Sequence, residues 1–189
     1  MSTRLYAVSF PVLAAADAQL LRDLRARYHP TQADRIGPHF TFVFALPESA
    51  QPTLAAQMQG AAAATAPIGF TLHRVEPIAD AAAGRAYIAL VPHRGHLAML
   101  DLHRRLYEGP LERFREPAAR FEPHLTVAMF DTADESVADI AERIADHIRD
   151  SGAVAGISGR LTELVLVAET GEALIERLRV PLAGGVRAA

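Results

Sequence analysis

Four residue types are missing from this chain of 189 residues: cysteine, lysine, tryptophan and asparagine. Without cysteine there is no thiol nucleophile, no disulfide and no thiolate metal site. Without lysine no reaction can pass through a Schiff base or any other lysine adduct. All 19 residues counted as Lys+Arg are therefore arginines. Net charge is −3, so there is no global basic field of the kind that holds a long nucleic acid. No stretch approaches the ~18 consecutive apolar residues of a membrane helix. Arg4 followed by the apolar run Leu5 to Phe10 has the outline of an export signal, but Ser9 and Pro11 interrupt it. It reads as an opening strand, and the cytoplasm is the expected compartment.

What is present is a large apolar fraction, half of all residues, enough to bury a sizeable core in a single domain. The expected boundaries are residues 1–182 for one domain of two lobes and 183–189 for a flexible tail. Strand signals fall at 4–10, 39–46, 68–78, 85–91, 124–130, 154–168 and 173–181, the last two forming a hairpin around Thr170-Gly171-Glu172. Helical spacing joins Leu20, Leu21 and Leu24 within 17–28, and Leu54 and Met58 within 50–66. It also joins Met99, Leu102 and Leu106 within 97–114, a stretch broken at Gly109-Pro110. Val137, Ile140, Ile144 and Ile148 line one face of 134–150, which Gly152 closes. Helices and strands thus alternate in two similar halves, the pattern of a duplicated α+β unit whose two sheets face one another across a cleft.

Each half carries nearly the same short segment. His39-Phe40-Thr41-Phe42 follows Pro38, and His124-Leu125-Thr126-Val127 follows Pro123. Side chains alternate faces along a strand, so His and Thr point one way and their apolar neighbours the other. His39, Thr41, Val43 and Ala45 are expected on one face, opposite Phe40, Phe42, Phe44 and Leu46. His124, Thr126 and Ala128 oppose Leu125, Val127 and Met129 in the same way. A single histidine in an apolar strand is usually a satisfied core residue. Two with matching spacing, face and threonine read as two halves of one site, because neither strand needs an imidazole to form and burying one without a partner costs stability.

Two imidazoles on opposite sides of a phosphate can act in line: one takes a proton from water and the other protonates the departing sugar oxygen. A threonine hydroxyl on the same face can donate to a non-bridging phosphate oxygen, and two of them hold the group from both sides. His39 and His124 are the candidate catalytic residues, and Thr41 and Thr126 the candidate phosphate ligands. This chemistry needs no metal and no cofactor. It suits a 2′,3′-cyclic phosphate, whose leaving group is a neighbouring ribose oxygen.

On these residues the chain resembles the 2H phosphoesterases, and among them the bacterial group called 2′-5′ RNA ligase or RNA 2′,3′-cyclic phosphodiesterase. The doubled His-x-Thr motif carries the resemblance, with Ile36-Gly37-Pro38 and Glu122-Pro123 framing it. The Gly84-Arg85-Ala86-Tyr87-Ile88 strand and the closing Val180-Pro181-Leu182 fit the same layout. The resemblance implies a two-lobed antiparallel α+β fold with pseudo-two-fold symmetry and a central cleft. It also implies metal-independent cleavage of cyclic phosphates or 2′-5′ phosphodiesters, with both histidines as acid and base and both threonines on phosphate. RNA-processing members often continue the second motif with Leu-Ala-Arg, whereas this chain has Val127-Ala128-Met129 and lacks that basic contact. With no lysine to carry a nucleotidyl group, any ligation would be cleavage run in reverse.

The substrate expected is a small cyclic phosphate or nucleotide, with RNA ends as a further class; no long nucleic acid and no membrane is expected as a partner. Further substrate contacts are sought in Tyr87 and Arg85, which share a strand face, in Phe10, which shares one with Tyr6, and in Arg35 on the loop before His39. The alternative from another class is a noncatalytic module that binds nucleotides or RNA ends on the same fold. His93, His96 and His103 are spaced too loosely for a metal site and have Arg94, Arg104 and Arg105 as neighbours, so a solvated helix face is expected there. His29, His73 and His147 have no evident partner.

Overall fold

A computed structural model describes residues 3–80, 85–115, 121–131, 137–150, 156–171 and 173–183. Among the described residues nine strands form one antiparallel sheet: β1 (Arg4–Ser9), β2 (Val12–Leu13), β3 (Phe40–Pro47), β4 (Ile68–Asp80), β5 (Arg85–Arg94), β6 (Leu125–Asp131), β7 (Ile157–Leu161), β8 (Glu163–Thr170) and β9 (Ala173–Pro181). Their spatial order is β2-β7-β4-β5-β6-β3-β1-β8-β9. The helices are α1 (Ala15–Tyr28), α2 (Pro30–Ala33), α3 (Gln51–Ala63), α4 (His96–Tyr107) and α5 (Val137–Asp150).

The duplication is visible in this order. β3 with β1, β8 and β9 makes one wing; β6 with β5, β4 and β7 makes the other. The wings meet at the centre, where β3 and β6 pair through Phe40 and Leu125. The two expected sheets are therefore the wings of one curled sheet, as the duplicated two-lobed fold class requires.

The helical stripes are buried as their spacing dictates. Leu21 and Leu24 of α1, Leu54 and Met58 of α3, Met99, Leu102 and Leu106 of α4, and Ile140 and Ile144 of α5 join the large core against the sheet. Gly95 starts α4 at φ 82°, and a Cβ there would lie 2.6 Å from the Gly69 carbonyl oxygen; the turn from β5 into α4 requires glycine. Gly109-Pro110 ends α4 and opens a 3₁₀ turn, Gly109–Phe114. Gly152, the alanines at 81–83, the Val137 side chain and the tail beyond 183 lie outside the described residues.

Two expectations need correction. The single strand expected at 154–168 is two, β7 and β8, divided at Thr162 and placed in opposite wings. Strict alternation also fails inside both motif strands. The register of β1 on β3 shifts between Ala7–Val43 and Val8–Thr41, leaving Phe42 as an extra residue. That of β5 on β6 shifts between Ile88–Ala128 and Ala89–Thr126, leaving Val127 as the extra one. Each β-bulge follows its threonine directly and rotates everything after it. Val43 and Ala128, expected on the polar face, are therefore buried in the core. Phe44, expected in the core, follows Val43 onto the opposite face and is 45% exposed, and a further shift in the β1–β3 register between Val43 and Leu46 returns Leu46 to the core.

Candidate active site

His39 and His124 sit immediately before β3 and β6, where the wings join. Continuing the Phe40–Leu125 register by one residue in each direction sets His39 beside Thr126 and His124 beside Thr41. The same rows run outward through Val8 beside Thr41 and Ala89 beside Thr126. Cross-strand neighbours share a face, so the four motif side chains converge on the sheet face away from the helical core. Val8, Val165 and Val167 form a separate apolar cluster on this face, with Tyr6 and Phe10 packed against it.

The two imidazoles are held alike. His39 Nδ1 donates to the Gly37 carbonyl at 2.8 Å, and His124 Nδ1 donates to the Glu122 carbonyl at 2.7 Å. A carbonyl can only accept, so each bond puts a proton on Nδ1 and leaves Nε2 as the titrating atom. Desolvation lowers both pKa values. That of His39 falls to about 4, with further lowering from the charge of Arg25 and from His124 and His29; the Gly37 bond opposes the fall. His124 is also lowered by burial, but the Glu122 carbonyl and the Glu122 carboxylate both work the other way. The symmetric pair thus carries an electrostatic asymmetry, with the Arg25 guanidinium near one ring and the Glu122 carboxylate beside the other.

Thr41 and Thr126 are half-buried, and among the described residues neither hydroxyl has a hydrogen-bond partner. Phe10 meets the His39 ring edge-on at 6.1 Å, and Tyr87 lies at 6.5 Å from the His124 ring. Arg35 pairs with Glu169 at 3.1 Å and reaches the Gly171 carbonyl at 3.3 Å. The hydroxyl of Tyr6 donates to the other Glu169 oxygen at 3.0 Å. The backbone of Arg85 pairs with Asp80 and Asp131, and its side chain lies outside the described residues. Among the described residues no three His, Asp or Glu side chains converge on a metal position, and no helix is long and apolar enough to cross a membrane.

The histidines of α4 are not a solvated face. His103 donates through Nδ1 to the Phe42 carbonyl at 2.8 Å and stacks on Phe121 at 3.7 Å. The Tyr107 hydroxyl accepts from the Phe44 N–H at 3.1 Å. One helical turn apart, they satisfy backbone groups around the bulge in β3, which explains polar groups on an inward face. His96 bonds Glu122 at 2.8 Å, anchoring the loop that delivers His124.

Two sequence signals went unused. Arg4-Leu5-Tyr6 of β1 and Arg85-Ala86-Tyr87 of β5 repeat one another, and these strands occupy matching places beside β3 and β6. Arg25 falls at helical spacing from Leu21 on the apolar stripe of α1 and is 2% exposed, an arginine where a core residue belongs.

The sequence profile of the 2′-5′ RNA ligase superfamily matches residues 11–173. No curated protein sequence matches the chain. Among solved structures, Escherichia coli LigT complexed with 3′-AMP superposes with a TM-score of 0.60 at 16% identity, covering 96% of this chain and 99% of LigT. Kluyveromyces marxianus Usb1 superposes with a TM-score of 0.55 at 13% identity, covering 95% of this chain and 98% of Usb1. These likenesses are of fold, and the profile match spans both His-x-Thr strands. The chain belongs to the 2′-5′ RNA ligase superfamily.

Proposed function

We propose that this protein is a metal-independent phosphodiesterase that hydrolyses 2′,3′-cyclic phosphates of nucleotides or RNA ends, or 2′-5′ phosphodiesters, by two-histidine acid–base catalysis. The observation that carries the reading is the matched pair of Nδ1–carbonyl bonds at the junction of the wings. It leaves two Nε2 atoms and two threonine hydroxyls on one face.

The asymmetry around the rings supports a division of roles. His39, surrounded by Arg25, His29 and His124, is neutral near pH 7 and serves as the base. Its Nε2 takes a proton from water as the water oxygen attacks phosphorus. His124, with Glu122 supporting its charged form, is the better acid; its Nε2–H protonates the ribose oxygen as the P–O bond breaks. The product is a phosphomonoester beside a free hydroxyl. Thr41 and Thr126 donate to the non-bridging oxygens as charge builds on them. Phe10 and Tyr87 flank the two histidines and offer flat apolar surface to a base, while Arg35 lies by the β8–β9 hairpin. Nucleoside phosphates bound to LigT and Usb1, 3′-AMP and uridine monophosphate, support a ligand of mononucleotide size.

The test is phosphorus NMR of 2′,3′-cyclic mononucleotides and a 2′-5′-linked dinucleotide incubated with the protein in EDTA. Conversion of either to a phosphomonoester is the expected result. Binding of both without turnover overturns the reading in favour of a noncatalytic nucleotide-binding module.

A further inference from the structure

Arg25 is a buried guanidinium whose hydrogen bonds all go to main-chain carbonyls. Nη1 donates to the Thr126 carbonyl at 2.8 Å. Nη2 donates to the Ile36 carbonyl at 2.8 Å and to the Gln32 carbonyl at 3.4 Å. Among the described residues no carboxylate pairs with it. Burying a cation without a counterion is costly, and natural proteins rarely retain one without a purpose.

Its position supplies the purpose. Thr126 is the phosphate-facing residue of the second motif. Gln32 in α2 and Ile36 in the loop after it lead into His39, and the carbonyl next to that of Ile36, on Gly37, orients the His39 ring. One planar fork on α1 therefore ties the second motif to the segment leading into the first, from beneath the sheet, across a junction where β3 and β6 share a single register pair. A guanidinium can bridge three carbonyls set at such angles; an ammonium cannot reproduce the fork. Loss of this clamp frees the two histidines to drift relative to one another, and in-line chemistry tolerates little drift.

We propose that Arg25 is a positioning residue of this site: it ties the Thr126 backbone of the second His-x-Thr segment to the backbone that leads into the first, and sets a fixed positive charge near His39. The proposal rests on the two-histidine reading above. The charge has a direct consequence for His39. The titratable and charged groups facing that ring are Arg25 on α1, His29 at the junction of α1 and α2, and His124 ahead of β6, and all three disfavour its protonated form. Removing Arg25 therefore raises the pH at which His39 takes its proton.

The experiment compares Arg25→Met and Arg25→Lys with wild type. Folding is checked by circular dichroism, and His39 is followed by NMR titration, assigned with His39→Ala. Turnover of a 2′,3′-cyclic mononucleotide is measured alongside. In Arg25→Met the His39 midpoint moves up, and kcat falls about 10²-fold, the cost of a misplaced reacting group. In Arg25→Lys the charge is kept and the fork is lost, so the midpoint stays low while kcat still falls. If Arg25→Met does not fold, Arg25→Lys alone decides. A folded Arg25→Met with an unmoved His39 midpoint, or Arg25→Lys with wild-type kcat, overturns the proposal. The titration needs no substrate, so wild-type protein that turns over nothing refutes the two-histidine reading without deciding the role of Arg25 in holding His39.

Discussion

Phe40 and Leu125 face one another across the register pair that joins β3 to β6, so the histidines preceding them enter the junction from opposite directions. An antiparallel pair has a local two-fold axis between its strands. Placing one His-x-Thr on each strand therefore generates a site with two imidazoles and two hydroxyls around that axis. A phosphate is a good occupant for it, with an attacking and a leaving oxygen on opposite sides.

The threonines are predicted to act on the transition state more than on binding. Thr41→Ala and Thr126→Ala should each cost roughly 3 kcal/mol of barrier, by analogy with loss of one oxyanion donor. Steady-state kinetics on a cyclic mononucleotide would show the loss mainly in kcat. A rise confined to KM would mean that the hydroxyls hold ground-state phosphate only.

Glu122 is predicted to set the alkaline limb of activity. Its carboxylate favours protonated His124, so Glu122→Gln lowers the His124 pKa. The acid form is then lost at lower pH, and the descending limb of kcat/KM shifts toward acid. His96→Ala, which removes the Glu122 partner at 2.8 Å, leaves that carboxylate in place and should move the limb much less.

Tyr107 is predicted to matter for stability through the irregular stretch of β3. Its hydroxyl is the acceptor for the Phe44 N–H, and the residue is 4% exposed. Tyr107→Phe leaves that N–H without its acceptor and should destabilise the fold by about 1–3 kcal/mol in urea titration. A change below a few tenths of a kcal/mol would show that water replaces the bond freely.

Much of this was readable in the sequence, and what was missed has a common cause. Alternation along 39–42 and 124–127 points to the candidate site because the facing of a strand is a local property. The stripes of α1, α3, α4 and α5 are equally local. A bulge is not: Phe42 and Val127 become extra residues only because of how β1 and β5 pair with them. Val43, Phe44 and Ala128 therefore lie on faces that simple alternation does not predict. His103, Tyr107 and Arg25 look like polar residues on helices until the backbone groups they satisfy, distant in sequence, are in place. The division of 154–168 at Thr162 depends on two strands choosing opposite wings, and β2 is only two residues long.

His29 is predicted to make the fold acid-sensitive. Its ring is buried, with no protein hydrogen-bond partner among the described residues, and burial and Arg25 hold its pKa down to about 4. In the unfolded chain a histidine takes its proton near ~6.5. Between those values the unfolded state binds more protons, so stability falls as pH drops from ~6.5 toward about 4. His29→Leu removes this contribution and an unpaired polar group, and should gain about 1–3 kcal/mol, most visibly at pH 5. Denaturant titrations at pH 5 and pH 8 check it; equal effects at both would contradict the titration argument.

The most direct measurement is the pH profile of kcat/KM for a 2′,3′-cyclic mononucleotide in EDTA, with His39→Ala and His124→Ala beside wild type. kcat/KM reports the free enzyme. His39 must be neutral, so activity is lost as pH falls through about 4. His124 must be protonated, and burial holds it below its ordinary value of 6.5, so activity is lost again before neutrality. The account predicts a bell with an acidic maximum and a loss of about 10²–10⁴ in each variant. A single variant that keeps wild-type turnover, or a profile that rises steadily to alkaline pH, would contradict it.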